Sequence, residues 1–163
     1  MMIREIKEKG EFATSADAVR RSFLTVAEEF GITKENCPTN PAFIMTEHVK
    51  ELQEKGIKLF GLFDRAEQIG FMAVEREEES VFSVRRLAVL PEHRHKGLGR
   101  KLIEFACDYA REKGGEKLAV HIMDNNLQLK DWYRGLGFVV TGTKHFEQLP
   151  FDVCFLEKDI SAI

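Results

Sequence analysis

Hydrophobic and polar positions along this chain follow two periods, and the points where the period changes divide it into elements. Residues 2–7 set Ile3 and Ile6 among charges, which predicts a short edge strand. Val19, Phe23, Val26, Ala27 and Phe30 then recur at helical spacing behind a cap at Thr14 or Ser15, and Gly31 stops the run. Residues 32–40 read as loop. Asn40-Pro41 predicts a second helix start, with Asn as cap, Pro at the first helical position, and Met45, Val49 and Leu52 as the buried stripe before Gly56. Residues 57–63 and 68–77 read as strands joined by a tight turn, a hairpin. The charge run from Glu75 to Glu79 reads as a solvated strand end and turn.

Residues 81–90 are rich in Val, Leu and Phe and end at Pro91, as a strand should. From 98 to 113, Leu98, Leu102, Phe105 or Ala106, and Tyr109 return to helical spacing, and Gly114 stands where a left-handed terminal residue belongs. Another strand at 117–123 follows through that helical crossover, so it should run parallel to 81–90. Asp124-Asn125-Asn126 caps a last helix with Leu129, Trp132, Tyr133 and Leu136 on one face, closed by Gly137. Residues 138–144 and 153–158 are the final strands, with the loop HFEQLPFD between them. The order β-α-α-β-β-β-α-β-α-β-β predicts an α/β fold in one domain over 1–163, a mixed sheet with helices on both faces.

Between the strand at 81–90 and its helix lies Arg94-His95-Lys96-Gly97-Leu98-Gly99. The first turn of a helix offers unpaired N–H groups and the positive end of the helix dipole, so an anion docks there readily. Gly97 and Gly99 remove side chains that would hold a diphosphate away from the backbone, and they allow strained dihedrals. Arg94, His95, Lys96, Arg100 and Lys101 add positive charge. Spacing alone leaves two readings, a diphosphate site or a basic solvated loop before an amphipathic helix.

Composition narrows the choice. A chain of 163 residues, 44% hydrophobic and 31% charged, suits one folded domain with a proper core. The net charge of −3 argues against a general nucleic-acid binder and makes the basic loop a local feature. No apolar run approaches a membrane span, and Met1-Met2-Ile3-Arg4-Glu5 does not read as a signal peptide. Cys37, Cys107 and Cys154 are far apart and without nearby histidines, so neither a disulfide framework nor a metal site is expected, and Cys107 reads as a small core residue. A reducing cytoplasm fits this usage best.

Arg94-x-x-Gly97-x-Gly99 after Arg86-Leu87-Ala88-Val89, with Asn126 and Tyr133 in NNLQLKDWYRGLGF, resembles the GCN5-related N-acetyltransferases. The resemblance is close over 57–143 and loose in the flanks. It implies that acetyl-coenzyme A lies where two parallel strands splay apart. The backbone of Leu87, Ala88 and Val89 would hold the acetyl and pantetheine arm. Arg94, His95, Lys96, Gly97, Leu98, Gly99 and Arg100 would meet the diphosphate. The same resemblance makes Asn126 a cofactor contact and Tyr133 the general acid. A phenol of pKa about 10 can protonate a thiolate whose thiol lies at about 8.5. Where relatives carry a carboxylate base on the second splayed strand, this chain has His121, and a neutral imidazole is a competent base. That departure leaves the base open, with Glu75 and Glu47 as more distant candidates, and His48, His93 and His145 read as surface residues.

Each of these residues also has a plainer account. Asn126 can be a bare N-cap, Tyr133 a core tyrosine with a satisfied hydroxyl, and His121 a structural strand residue. The leading function is acetyl transfer from acetyl-coenzyme A to an amine, on a small molecule or a peptide, with no metal, nucleic acid or membrane involved and a homodimer left open. A non-catalytic acyl-coenzyme A sensing module is the alternative. A nucleotide binder of P-loop or dinucleotide type is disfavoured, because the loop has neither glycine spacing. The acceptor pocket is expected from the first two helices and the loops at 32–40 and 144–152.

Overall fold

The computed structural model, which describes residues 1–161, contains the predicted succession: β1 (Met2–Glu5), α1 (Phe12–Glu29), α2 (Thr46–Glu54), β2 (Lys58–Asp64), β3 (Glu67–Arg76), β4 (Val81–Val89), α3 (Leu98–Glu112), β5 (Lys117–Met123), α4 (Leu127–Gly135), β6 (Val139–Lys144) and β7 (Val153–Asp159). The strands form one seven-stranded sheet in the order β1-β2-β3-β4-β5-β7-β6. Every neighbouring pair is antiparallel except β4 and β5, which run parallel as the helical crossover requires. No described helix is long and apolar enough to cross a membrane.

Helices cover both faces, and the apolar stripes explain which covers what. Leu98, Leu102, Ile103, Ala106 and Ala110 of α3 pack on Met72, Val84, Leu118, Val120, Ile122 and Leu156. On the other face Phe12, Ala16 and Val19 of α1, with Val49 and Leu52 of α2, meet Leu59, Phe71, Ala73 and Ala88. Strands β2 and β3 are buried on both sides, hence their nearly continuous apolar runs. A smaller cluster joins the end of α1 to the loops at 32–45 and 145–152 through Ala27, Ile32, Cys37, Phe43, Met123, Leu149 and Phe151. All three cysteines are buried and free, Cys107 within the α3 core as expected.

Three local expectations change. Helix α1 starts before Thr14 and Ser15, led in by a 3-10 turn over Lys9–Glu11; the buried Ser15 hydroxyl donates to Gln68 Oε1 (3.2 Å) on β3 instead of capping. Asn40 does cap, accepting from Ala42 N–H (2.9 Å), but only for a 3-10 turn over Pro41–Phe43. The α-helix begins afresh beyond Met45, whose N–H donates to His48 Nδ1 (2.9 Å), and this leaves the Met45 side chain 56% exposed, outside the buried stripe. The acidic run is also less solvated than its composition suggests. Arg85 reaches Glu75 (2.8 Å) and Glu77 (3.4 Å), and Ser83 Oγ donates to Glu77 (2.8 Å).

Candidate active site

The site begins where β4 and β5 part. Their ladder pairs only Val81, Phe82 and Ser83 with Lys117, Leu118 and Ala119, yet β4 continues to Val89 and β5 to Met123. A bulge lies at the parting point: Arg86 and Leu87 together face Met72 of β3, and Arg86 takes the left-handed region at φ 55°. Bulges bend and twist the strand that carries them, here away from β5. Leu90 N–H donates to Ile69 O on β3 (2.9 Å), so strand alternation turns the backbone of Val89, and of Leu87 before it, toward the open slot. The Ala88 side chain points the other way, into the α1 layer. Of the three residues expected to hold the acetyl arm, Leu87 and Val89 thus line the slot by their backbone, whereas Ala88, in phase with Leu90, turns its backbone to β3 opposite Phe71.

The glycine-containing loop follows directly. His95 (φ 63°) and Gly97 (φ 76°) are both left-handed, and Gly97 is the N-cap of α3. Lys101 N–H donates to Gly97 O (3.1 Å), so the N–H groups of Leu98, Gly99 and Arg100 have no acceptor within the helix. A Cβ at Gly97 would meet nothing within 4 Å, so its glycine answers to φ and leaves the helix entrance open. Gly99 has another reason: a Cβ there would stand 3.2 Å from the Trp132 ring, so this glycine lets α4 approach α3. Trp132 in this role was not legible from its spacing.

Arg94 departs from the expected diphosphate role. Its Nη2 donates to Ser22 O (2.6 Å), its Nη1 to Thr25 Oγ1 (3.0 Å) and its Nε to Val89 O (3.4 Å), while its own N–H bonds Pro91 O (3.3 Å). The guanidinium fastens the loop to α1, and burial lowers its pKa. Hydrogen bonds to a charged donor contribute roughly 1.5–3 kcal/mol, so Arg94→Ala should destabilise by about that much in denaturant titration. Arg94→Lys should recover only part, since an ammonium cannot reproduce the planar fork. His95, Lys96 and Arg100 remain exposed at the helix entrance.

His121 and Tyr133 lie on opposite sides of the sheet. Leu118, Val120 and Ile122 point into the α3 core, so His121 points to the α1 side, where it is exposed with its ring 4.6 Å from Phe155. The β4–β5 register, extended past its last pair, sets His121 level with Arg85 across the parting strands. Partial burial lowers the His121 pKa; Glu77 opposes that and Arg85 reinforces it. Tyr133 sits on the α3 side, 4% exposed, its ring edge-on to Trp132 (4.9 Å) and Phe138 (5.2 Å). Burial holds its phenol well above the ordinary value near 10. Asn126 is buried at the N-terminus of α4, its Oδ1 accepting from Leu129 N–H (3.2 Å), so the plain capping role is real.

His48 and His145 are exposed as expected, but His93 is half-buried with Nδ1 enclosed and unpartnered. The loop at 145–152 forms, with Asp124 and Asn125, a cleft of about 490 Å³ beyond the end of β5, lined by His145, Leu149, Phe151 and Asp152. Sequence reasoning missed Arg85, Arg86 and Ser83. The signal for them was the parallel register of β4 and β5, which becomes usable only once the pairing is known.

A parallel pair that parts beside a helix N-terminus with free amides defines an α/β class with an open slot next to an anion-receptive helix end, and comparison with known proteins says which family it is. The acetyltransferase (GNAT) family model matches residues 24–138, and the chain belongs to that family. Streptothricin acetyltransferase from Streptomyces lavendulae is 35% identical over 74 residues, 45% of this chain and 39% of that relative. Among solved structures, the ribosomal-protein-S18-alanine N-acetyltransferase from Escherichia coli superposes with a TM-score of 0.77 at 17% identity, over 99% of this chain and 95% of that one. A GNAT family acetyltransferase from Elizabethkingia anophelis with acetyl-CoA bound superposes at 0.62 and 15% identity, over 69% of this chain and 82% of that one. At these identities the two structures are alike in fold.

Proposed function

We propose that this chain, acting as one domain, transfers an acetyl group from acetyl-coenzyme A to a primary amine by direct attack in a ternary complex. The observation that carries the reading is the slot: β4 and β5 part beyond Ser83 and Ala119, with His121 on one side of the sheet, Tyr133 on the other, and free α3 amides after the same strand. In this reading the diphosphate meets the N–H groups of Leu98, Gly99 and Arg100, with His95, Lys96 and Arg100 adding charge. Arg94 and Gly97 shape that loop without lending it a guanidinium. The backbone of Leu87 and Val89, on either side of Ala88, receives the acetyl arm, and Asn126 offers its Nδ2 hydrogens to the pantetheine. His121 takes the proton that the acceptor amine loses. The amine nitrogen bonds to the carbonyl carbon as the carbon–sulfur bond breaks, and Tyr133 gives its hydroxyl proton to the departing thiolate.

The direct test combines calorimetry of acetyl-coenzyme A binding with release of free thiol over a panel of amino acids, amino sugars, polyamines and peptides. Binding together with thiol release for at least one amine is the expected result. Binding without release for any amine would favour the acyl-coenzyme A sensing module instead.

The pH profile tests the base. Because the His121 pKa is depressed, the imidazole is neutral at pH 7, and kcat/KM should rise through an apparent pKa below the ordinary imidazole value of 6.5. His121→Ala should lose that limb, with the acceptor varied to exclude its own titration. The sign for stability is the same: a depressed folded pKa means stability present above the unfolded value and lost as pH falls through the folded one. An unchanged limb in His121→Ala would remove the histidine from the mechanism.

A further inference from the structure

We infer that Arg86 anchors a carboxylate on the acceptor, so that the substrate is a small molecule carrying amine and carboxylate together. This rests on the acetyl-transfer reading above. Arg86 belongs to the β4 bulge, between Leu87, whose backbone faces the slot, and Arg85, which stands level with His121 across it. Its backbone is therefore at the rim of the slot where an amine would approach the thioester.

Its neighbour shows what a satisfied arginine looks like here. The Arg85 guanidinium is taken by Glu75 (2.8 Å) and Glu77 (3.4 Å). Arg86 has no ion pair with any described residue, its Nε is enclosed without a hydrogen-bond partner, and its charge is partly desolvated beside that of Arg85. A left-handed φ of 55° adds backbone strain for a side chain of this size. Enclosing a charged donor without an acceptor is costly, and a ligand anion relieves it. The planar guanidinium fork matches a carboxylate in a bidentate way.

That anion does not come from acetyl-coenzyme A in this arrangement. The charges of that molecule are on its phosphates, which the α3 entrance takes, and its thioester end is neutral. The negative group arrives with the other substrate.

The experiment measures initial thiol release with acetyl-coenzyme A and matched amines: phenylalanine, phenylalaninamide and phenethylamine; β-alanine and β-alaninamide; glutamate and glutamate α-amide. Wild type should favour carboxylate members over their amides by about 10-fold or more in kcat/KM, as sites built to pair a polar group reject analogues lacking it. In Arg86→Gln that ratio should collapse toward one, in Arg86→Lys it should fall part of the way, and acetyl-coenzyme A affinity should stay within about twofold in both. Equal rates for acids and amides in wild type would overturn the inference, as would a preference that survives Arg86→Gln. Acetyl-coenzyme A binding without acetylation of any carboxylate-bearing amine would overturn it too, and the wild-type comparison needs no variant to fold. Failure to bind acetyl-coenzyme A at all would instead remove the parent reading, and this one with it.

Discussion

Tyr133→Phe should lower kcat by ~10²- to 10⁴-fold, the usual range for losing a general acid, while acetyl-coenzyme A affinity changes little. The substitution removes one hydroxyl and keeps the ring that packs between Trp132 and Phe138, so the core of α4 should hold. Burial raises the phenol pKa well above its ordinary value near 10, so the group is a proton donor, not a base, throughout the neutral range. A thiolate released into the same dry slot becomes more basic for the same reason, which keeps donor and acceptor matched. If Tyr133 served packing alone, the pattern would reverse: a modest loss of stability and near-normal turnover. Melting temperature, cofactor affinity and single-turnover rate on the one variant separate the two accounts. Near-normal chemistry would sink the acid role, though transfer itself could proceed with water as donor.

Gly97→Asp should weaken coenzyme A binding by ~10-fold or more, on the order of 1.4 kcal/mol, relative to Gly97→Asn. The pair is chosen for the backbone. Gly97 has φ 76°, where most side chains are strained but Asn and Asp are tolerated best, and a Cβ there meets nothing within 4 Å. The two variants share shape and strain and differ in one negative charge at the entrance of α3. Their difference should shrink as salt is raised, since an exposed charge is screened. Gly99 is unsuitable for this purpose, because any side chain there presses on Trp132 and confounds binding with packing. Equal affinity of Gly97→Asp and Gly97→Asn at low salt would remove the diphosphate from the helix entrance.

Much of this molecule was legible from the residues because its cues are local. Hydrophobic periodicity determined the number and order of strands and helices, and the crossover through α3 required β4 and β5 to be parallel. Gly114 marked a left-handed position because φ is a property of one residue and its neighbours, and it is left-handed in the fold; of the two loop glycines expected to allow strained dihedrals, Gly97 is left-handed and Gly99 is helical. Boundaries failed where a polar side chain had a distant partner. Ser15 looked like a cap, yet its hydroxyl bonds Gln68, fifty-three residues away. Arg94 looked like a phosphate ligand by its place in the loop, and its guanidinium is held by Ser22 and Thr25 of α1.

The sequence by itself determined which helix could meet a diphosphate, because that depends on a helix end and the residues beside it, while the strand expected to line an acyl-coenzyme A slot was what the family resemblance implied. Only the tertiary structure decided what surrounds the slot. The ladder between β4 and β5 stops after Ser83, and that register, with the bulge at Arg86, sets His121 level with Arg85 and leaves Arg86 Nε without a hydrogen-bond partner among the described residues. Such neighbours are brought together by pairing and packing across long stretches of chain, so no local pattern of residues encodes them.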